Sequence, residues 1–311
     1  MKIGIVLPQL GKHATRENLL QTARIAENEG IDSLWVGERL LWPLNPQTPF
    51  PGSSDGNLSV DQQIVLDPLV TLTYIAANTH KIMLGTSVID MLFHNPVILG
   101  KRFATLDVLS EGRVIAGLGI GWSMDEYQAS NVPFKDRGKR ADEFIQVLKK
   151  IWVDDVVEFK GEYYDIPSSI VGPKPIQKPH IPLYLGGFSP HTFTRIVKYD
   201  THGWLGGISG PLEKLEDTIK IIKDNSKKAN KDPNNSKIIL LTFPNIVDLK
   251  SQTTNKEDKR IPLNGTIDEI REDVKRINEF GISHIIFGFS PTSADIDSII
   301  EVTKQLSKFA R

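Results

Sequence analysis

The chain has 311 residues, 40% of them hydrophobic and 24% charged, and its 37 basic residues face 38 acidic ones for a formal net charge of -1. This composition excludes disordered, collagen-like and low-complexity chains, and the balanced charge offers no field for nucleic acid or an anionic membrane. The absence of cysteine removes disulfides, thiolate zinc sites, iron–sulfur clusters and a cysteine nucleophile together.

Along the chain, short runs rich in Ile, Val and Leu alternate with segments of helical period, the pattern of a parallel sheet covered by crossover helices. Eight runs are expected as strands: Ile3 to Leu7, Ser33 to Val36, Ile82 to Val88, Arg113 to Leu118, Leu183 to Leu185, Gly203 to Leu205, Ile238 to Phe243 and His284 to Phe289. The sixth is the poorest in apolar residues. Asp67-Pro68, Asn95-Pro96 and Ser189-Pro190 each place a favoured N-cap before a proline at the first helical position. Thr266 and Glu269 have capping-box spacing, and Gly281, like Gly30 and Gly112, stands where a helix stops in the left-handed region. Eight strands alternating with helices favour a single-domain (β/α)8 TIM barrel over residues 1–311, with an open doubly wound sheet as the alternative.

Two segments exceed a minimal strand–helix repeat. Residues 40–63 carry Pro43, Pro46, Pro49 and Pro51 just past the second strand, where a lid over the catalytic face would lie. Residues 152–182, between the fourth and fifth strands, form the second insertion, and Asp248 to Arg260 is expected to be a mobile polar loop. No stretch reaches the roughly 18 uninterrupted apolar residues that span a bilayer, and the N-terminus reads as a strand rather than a secretory signal, so a cytoplasmic protein is expected.

In such a barrel the chemistry sits at the C-terminal ends of the strands. The tips carry Pro8-Gln9, Gly37-Glu38-Arg39, Ser87-Val88-Ile89, Gly119-Ile120-Gly121-Trp122, Gly186-Gly187-Phe188-Ser189, Gly206-Gly207, Pro244-Asn245 and Ser290-Pro291, in which Glu38 is the one carboxylate. Paired carboxylates for glycoside hydrolysis, acidic clusters for magnesium and a strand-end lysine for Schiff-base chemistry are absent from these tips. The seven histidines show no metal-ligand spacing, and neither a nucleophile elbow nor a Walker loop occurs. What remains is bare backbone. Gly117, Gly119 and Gly121 follow the fourth strand, and Gly186-Gly187 precede a helix start, an arrangement that suits a phosphorylated cofactor or simply tight turns. With few ionisable side chains at the tips, a cofactor must carry the reactive atoms.

Several segments, in order and spacing, resemble the luciferase-like monooxygenase superfamily and, within it, the coenzyme F-420-dependent branch. They are Ser33 to Pro43, Leu84 to Val88, His94 to Val97, Ala104 to Val114, Gly119 to Trp122, Val132 to Phe134, Arg137-Gly138, Pro173 to Pro175 and Leu185 to Pro190. The resemblance implies a flavin or deazaflavin at the barrel mouth, with a cis peptide at Ser87-Val88 backing the ring. It implies that Gly119, Gly121, Gly186, Gly187, Ser189 and Thr192 approach the phosphate and that Phe188 contributes mainly backbone. Many relatives have Asp-His where this chain has Glu38-Arg39, which leaves Glu38 as the candidate proton donor, or as a salt bridge with Arg39 or another base. His94, which follows the third strand, is a second candidate acid or a helix-entry histidine. Many also have Asp in place of His202.

The implied activity is hydride transfer between coenzyme F-420 and a small organic substrate held under the 40–63 loop. The alternative is an FMN-dependent monooxygenase served by a separate flavin reductase, and a third reading is a flavin-binding protein without turnover. Thr86 to Val88 and Trp35 to Arg39 lean toward the deazaflavin, and a homodimer accords with the resemblance.

Overall fold

All eight apolar runs form strands in the computed structural model, which describes residues 1–53, 55–208, 211–244, 246, 260, 262–289 and 296–309. In chain order the first half contains β1 (Lys2–Val6), α1 (Arg16–Asn28), β2 (Ser33–Val36), α2 (Pro68–Ala76), β3 (Met83–Thr86), β4 (Ile89–Asp90), α3 (Pro96–Leu109), β5 (Val114–Gly119), α4 (Met124–Ala129) and α5 (Arg137–Val153). The second half contains β6 (Val157–Lys160), β7 (Asp165–Ser169), β8 (Leu183–Gly186), α6 (Pro190–Lys198), β9 (Gly203–Gly207), α7 (Leu212–Lys228), β10 (Lys237–Thr242), α8 (Ile267–Glu279), β11 (His284–Phe287) and α9 (Ile296–Leu306).

The parallel strands run β3-β2-β1-β11-β10-β9-β8-β5, and β5 pairs back onto β3, closing a (β/α)8 barrel. Strand residues therefore face two cores. Inside the barrel, Trp35, Ile115, Tyr184, Leu205, Ile239 and Ile286 pack against one another. Outside it, the alternate residues meet the apolar faces of the helices, as with Leu34, Leu72, Phe103 and Phe144. The interior is tight enough to dictate glycine. A Cβ on Gly85 would lie 2.3 Å from the Trp35 ring, and one on Gly4 would lie 2.6 Å from its Nε1.

The weak sixth run is a full strand, paired on both edges by β8 and β10. Its apparent weakness is a packing requirement, because a Cβ on Gly203 would come within 1.8 Å of the Lys237 carbonyl. The helix signals hold as well. Asp67, Asn95 and Ser189 accept hydrogen bonds from the first-turn N–H groups of α2, α3 and α6. Thr266 and Glu269 form a reciprocal capping box on α8, and Gly30, Gly112 and Gly281 all have φ near +80°.

At the bottom of the barrel, the buried Arg113 is fully engaged. Arg113 donates to the carbonyls of Ala76, Thr79, Ile82 and Ser110 and to Thr79 Oγ1, stitching the end of α2 to the start of β5. His202 lies at this same end, just before β9, where its Nδ1 accepts from the Leu183 N–H at 3.2 Å. The histidine that stands where many relatives carry Asp is thus remote from the strand tips.

Residues 40–63 leave β2 as a long loop ending in a short 3₁₀ turn at Val60–Gln63. The loop is held on α4 by Gln47, whose N and Nε2 donate to Asp125, and by Thr48 Oγ1, which accepts from Met124 N at 3.0 Å. Residues 152–182 contain the end of α5 and the antiparallel pair β6–β7, fastened by Glu143 accepting from the N–H groups of Glu162, Tyr163 and Tyr164. The loop expected from Asp248 to Arg260 falls outside the described residues except for Arg260, which pairs with Asp273 at 2.7 Å. Ser290-Pro291 and Asn245, expected at two strand tips, also fall outside them. Among the described residues no helix is long and apolar enough to cross a membrane.

Candidate active site

The site is built where β3 breaks step. The third run was expected to continue through Val88, but β3 ends at Thr86 and the Ser87–Val88 peptide is cis. Thr86 takes over the ladder with its side chain, donating to the Gly117 carbonyl at 2.8 Å and accepting from the Gly117 N–H at 2.9 Å. Only a glycine suits position 117, since a Cβ there would lie 1.9 Å from the Thr86 carbonyl oxygen. The chain rejoins β5 as β4, with Ile89 opposite Leu118 and Asp90 opposite Gly119. Thr86 to Val88 is therefore a bulge pinned on both sides.

The tip of β2 is fastened to that bulge. Buried Gln9 exchanges two 2.7 Å hydrogen bonds with the Gly37 backbone, and Glu38 N donates to the Val88 carbonyl at 3.1 Å. Val88 projects its methyl groups between two strand tips. A Cβ on Gly119 would lie 2.8 Å from Val88 Cγ2, and one on Gly186 would lie 2.9 Å from Val88 Cγ1. These two glycines clear space for the bulge itself, a reason distinct from approach to a phosphate.

A cavity of about 940 Å³ opens over this floor. Val88, Gly119, Gly121, Gly186, Gly187, Phe188, Ser189 and Thr192 all line it. Gly121 and Gly187 have φ of +75° and +118°, turning their backbones along the wall. Ser189 caps α6 by accepting from Thr192 N at 3.2 Å, and the two hydroxyls lie 3.2 Å apart. Phe188 is 60% exposed, and its ring meets Trp204 edge-on. The loop after β2 supplies part of the opposite wall through Phe50, Pro51 and Gly52, and Phe50 packs on Trp122 at 5.4 Å. Ser87 and Glu38 line an adjoining pocket of about 160 Å³ that shares Leu10, Gln62, Leu241, Phe243 and Phe289 with the larger one. His94 lines neither and stands behind Glu38.

The charges at the mouth form two sets. His94 donates from Nε2 to Glu38 Oε1 at 2.8 Å, and the Asp90 N–H donates to Glu38 Oε2 at 2.9 Å. Arg39, expected as a partner for Glu38, instead donates to Glu126 Oε2 at 2.7 Å and stacks over Trp122. Glu126 Oε1 accepts from Leu40 N, so the buried glutamate of α4 fixes the root of the loop. Breaking such a buried pair costs about 3–5 kcal/mol. Burial is the main cause that raises the Glu126 carboxyl above its ordinary value, with Arg39 opposing.

Two of these carboxylates were missed by sequence reasoning. Asp90 lines the large cavity and is pushed up to about 7, first by burial and then by the neighbouring charges of Glu38 and Glu126, against the pull of Arg39 and the Gly121 N–H. It stands one residue beyond the tip read as Ser87-Val88-Ile89, and extending that window would have found it. Glu126 follows Ser123 at capping-box spacing, a pattern that points to a helix start rather than to an ion pair.

A family model described as luciferase-like monooxygenase matches residues 1–283. An uncharacterized protein of Mycobacterium tuberculosis is 30% identical over 290 residues, which are 93% of this chain and 92% of that protein. An F-420-dependent glucose-6-phosphate dehydrogenase of Amycolatopsis mediterranei is 31% identical over 177 residues, covering 56% of this chain and 48% of the relative. Among solved structures, an F-420-dependent secondary alcohol dehydrogenase in complex with an F-420–acetone adduct superposes with a TM-score of 0.78 at 21% identity, over 100% of this chain and 99% of that one.

Proposed function

Because the chain belongs to the luciferase-like monooxygenase family, we propose that it is an oxidoreductase that moves a hydride between coenzyme F-420 and a small organic substrate at the barrel mouth. The observation that carries this reading is the cavity of about 940 Å³, with the Val88 bulge on its floor and the capped start of α6 on its wall. The cavity is large enough for a cofactor and most of its wall is apolar, as ligand sites usually are. The Gly186-Gly187 backbone, the Ser189 and Thr192 hydroxyls and the N-terminal end of α6 suit a phosphate group. These residues fit a phosphorylated ring cofactor. Bound there, the coenzyme would supply the carbon that accepts or donates the hydride.

The chain's own residues would do the rest. Val88 would support one face of the ring. Phe50, Leu241, Phe243 and Phe289 would keep water from the reacting face, and the loop held on α4 would cover the substrate. The relative named as an F-420-dependent dehydrogenase supports the deazaflavin over FMN. Parallel titrations with oxidised coenzyme F-420 and with FMN, followed by tryptophan fluorescence, test this choice, since Trp122 lies on the cavity wall. The expected result is a dissociation constant of about 1 μM or below for F-420, with FMN at least about tenfold weaker. Selective binding of FMN would transfer the reading to an oxygen-using reaction served by a reductase.

A further inference from the structure

We propose that Asp90 is the catalytic residue that exchanges the substrate proton, with Glu38 and His94 as positioning residues behind it. The proposal rests on the hydride-transfer reading above and assigns its missing acid–base group. Three observations lead to it.

First, Asp90 sits on β4 directly after the bulge and lines the large cavity beside Val88, with Oδ1 over the bare backbone of Gly119. Second, the other charged groups nearby are committed. Both oxygens of Glu38 are taken, by His94 and by the Asp90 N–H, and its side chain is 4% exposed. Arg39 is paired with Glu126, and His94 lines neither cavity. Among the described residues of the cavity, the second carboxylate, Asp61, lies at the base of the loop against Gly11 and Ser59. Third, the surroundings hold a proton on Asp90. Burial is the largest cause, Glu38 and Glu126 face it from just past β2 and from α4 with like charge, Tyr127 faces it from α4, and Arg39 and the Gly121 N–H favour its ionised form. A carboxyl pushed up to about 7 both gives and takes a proton at neutral pH.

For an alcohol substrate the step balances as follows. The O–H bond breaks, its proton goes to the Asp90 carboxylate, and its electron pair forms the second bond of the new carbonyl. The adjacent C–H bond leaves with its electron pair to oxidised coenzyme F-420, so that the alcohol is oxidised and the coenzyme reduced. The reverse reaction takes the proton back from Asp90.

The test has two arms on the full-length protein. Carbon-13 NMR of labelled aspartate side chains, without coenzyme and with Asp90→Asn assigning the signal, should place the Asp90 midpoint near 7. Glu38→Gln should move it downward by removing the like charge. In the kinetic arm, coenzyme F-420 reduction by isopropanol, or by the most reactive of a set of secondary alcohols, should lose about 10²–10⁴-fold in kcat with Asp90→Asn. Coenzyme affinity should stay within about threefold, and the pH limb of the wild type should follow the NMR midpoint. A midpoint in the ordinary carboxylate range, or a kcat within about threefold of wild type, overturns the proposal. Failure of the wild type to bind coenzyme F-420 overturns the hydride-transfer reading instead, while the NMR arm still reads Asp90 on its own.

Discussion

Gly119→Ala should weaken coenzyme F-420 binding by about 100-fold or more while costing the fold about 1–3 kcal/mol. The added methyl would lie 2.7 Å from Asp90 Oδ1 and 2.8 Å from Val88 Cγ2, both well inside van der Waals contact. Both neighbours are side chains on a fixed backbone and can yield only by turning away into the cavity they line. Asp90 is held in register opposite Gly119, and the Val88 carbonyl is bonded to Glu38 N. The substitution therefore displaces the floor of the cavity rather than a flexible tip. Val88→Ala in the same chain removes one of the two clashes and should recover part of the lost affinity, a non-additivity expected for side chains in direct contact. Titration and denaturant unfolding of the single and double variants provide the check. Wild-type affinity in Gly119→Ala would mean that the bulge does not support the coenzyme.

The largest pH effect should come from the opposite end of the barrel. His284 is buried, and burial is the main cause that lowers its pKa to about 3, with the Lys2 and N-terminal charges adding to it. Trp35 donates to Ser33 Oγ at 2.6 Å, and the Ser33 hydroxyl lies 2.7 Å from His284 Nε2, a chain that suits a neutral imidazole. Above pH 6.5 the folded and unfolded chains both keep this residue neutral, and it contributes no pH dependence. Below 6.5 the unfolded chain takes up a proton that the fold refuses, so stability falls with pH until about pH 3. The loss is about 1.4 kcal/mol per pH unit, or about 3 kcal/mol by pH 4.5. His202, lowered to about 4 mainly by burial and secondarily by His180, adds in the same direction. Against these losses Asp90, raised to about 7 first by burial, takes up a proton in the fold before the unfolded chain does and gains stability as pH falls toward 4. Denaturant unfolding between pH 7 and 4 therefore reads His284 by difference, and His284→Gln should lose about 1.4 kcal/mol less per pH unit than the wild type. An unchanged slope in the variant would mean that His284 is not the residue responsible.

Much of the architecture was legible because it is written locally. Runs such as Ile3 to Leu7 and Ile238 to Thr242 must be buried on both faces. Pairs such as Asp67-Pro68 and Ser189-Pro190 carry their own capping chemistry within a few residues. The even poorer run at Gly203 was legible only by its place in the alternation, since its glycines answer to the neighbouring strand.

The candidate site was legible in position and less so in charge. The tip residues from Val88 to Thr192 do come to one cavity. Which carboxylate faces it was not readable, because that depends on the break at Thr86 and on its partner Gly117, 31 residues away. The Arg39–Glu126 pair joins residues 87 apart, and no local pattern encodes it. Gly119 and Gly186 illustrate a related ambiguity. A sequence shows that a side chain is missing, and only the packed structure shows that Val88 occupies the space.

The most direct test of the central claim is an anaerobic turnover experiment with oxidised coenzyme F-420 and a panel of small organic substrates, each deuterated at the carbon that would give up the hydride. Hydride transfer in this site predicts loss of the oxidised coenzyme's visible absorbance, without oxygen, and deuterium in the reduced coenzyme. An unchanged coenzyme, together with substrate-dependent oxygen uptake when reduced FMN is supplied, would contradict it.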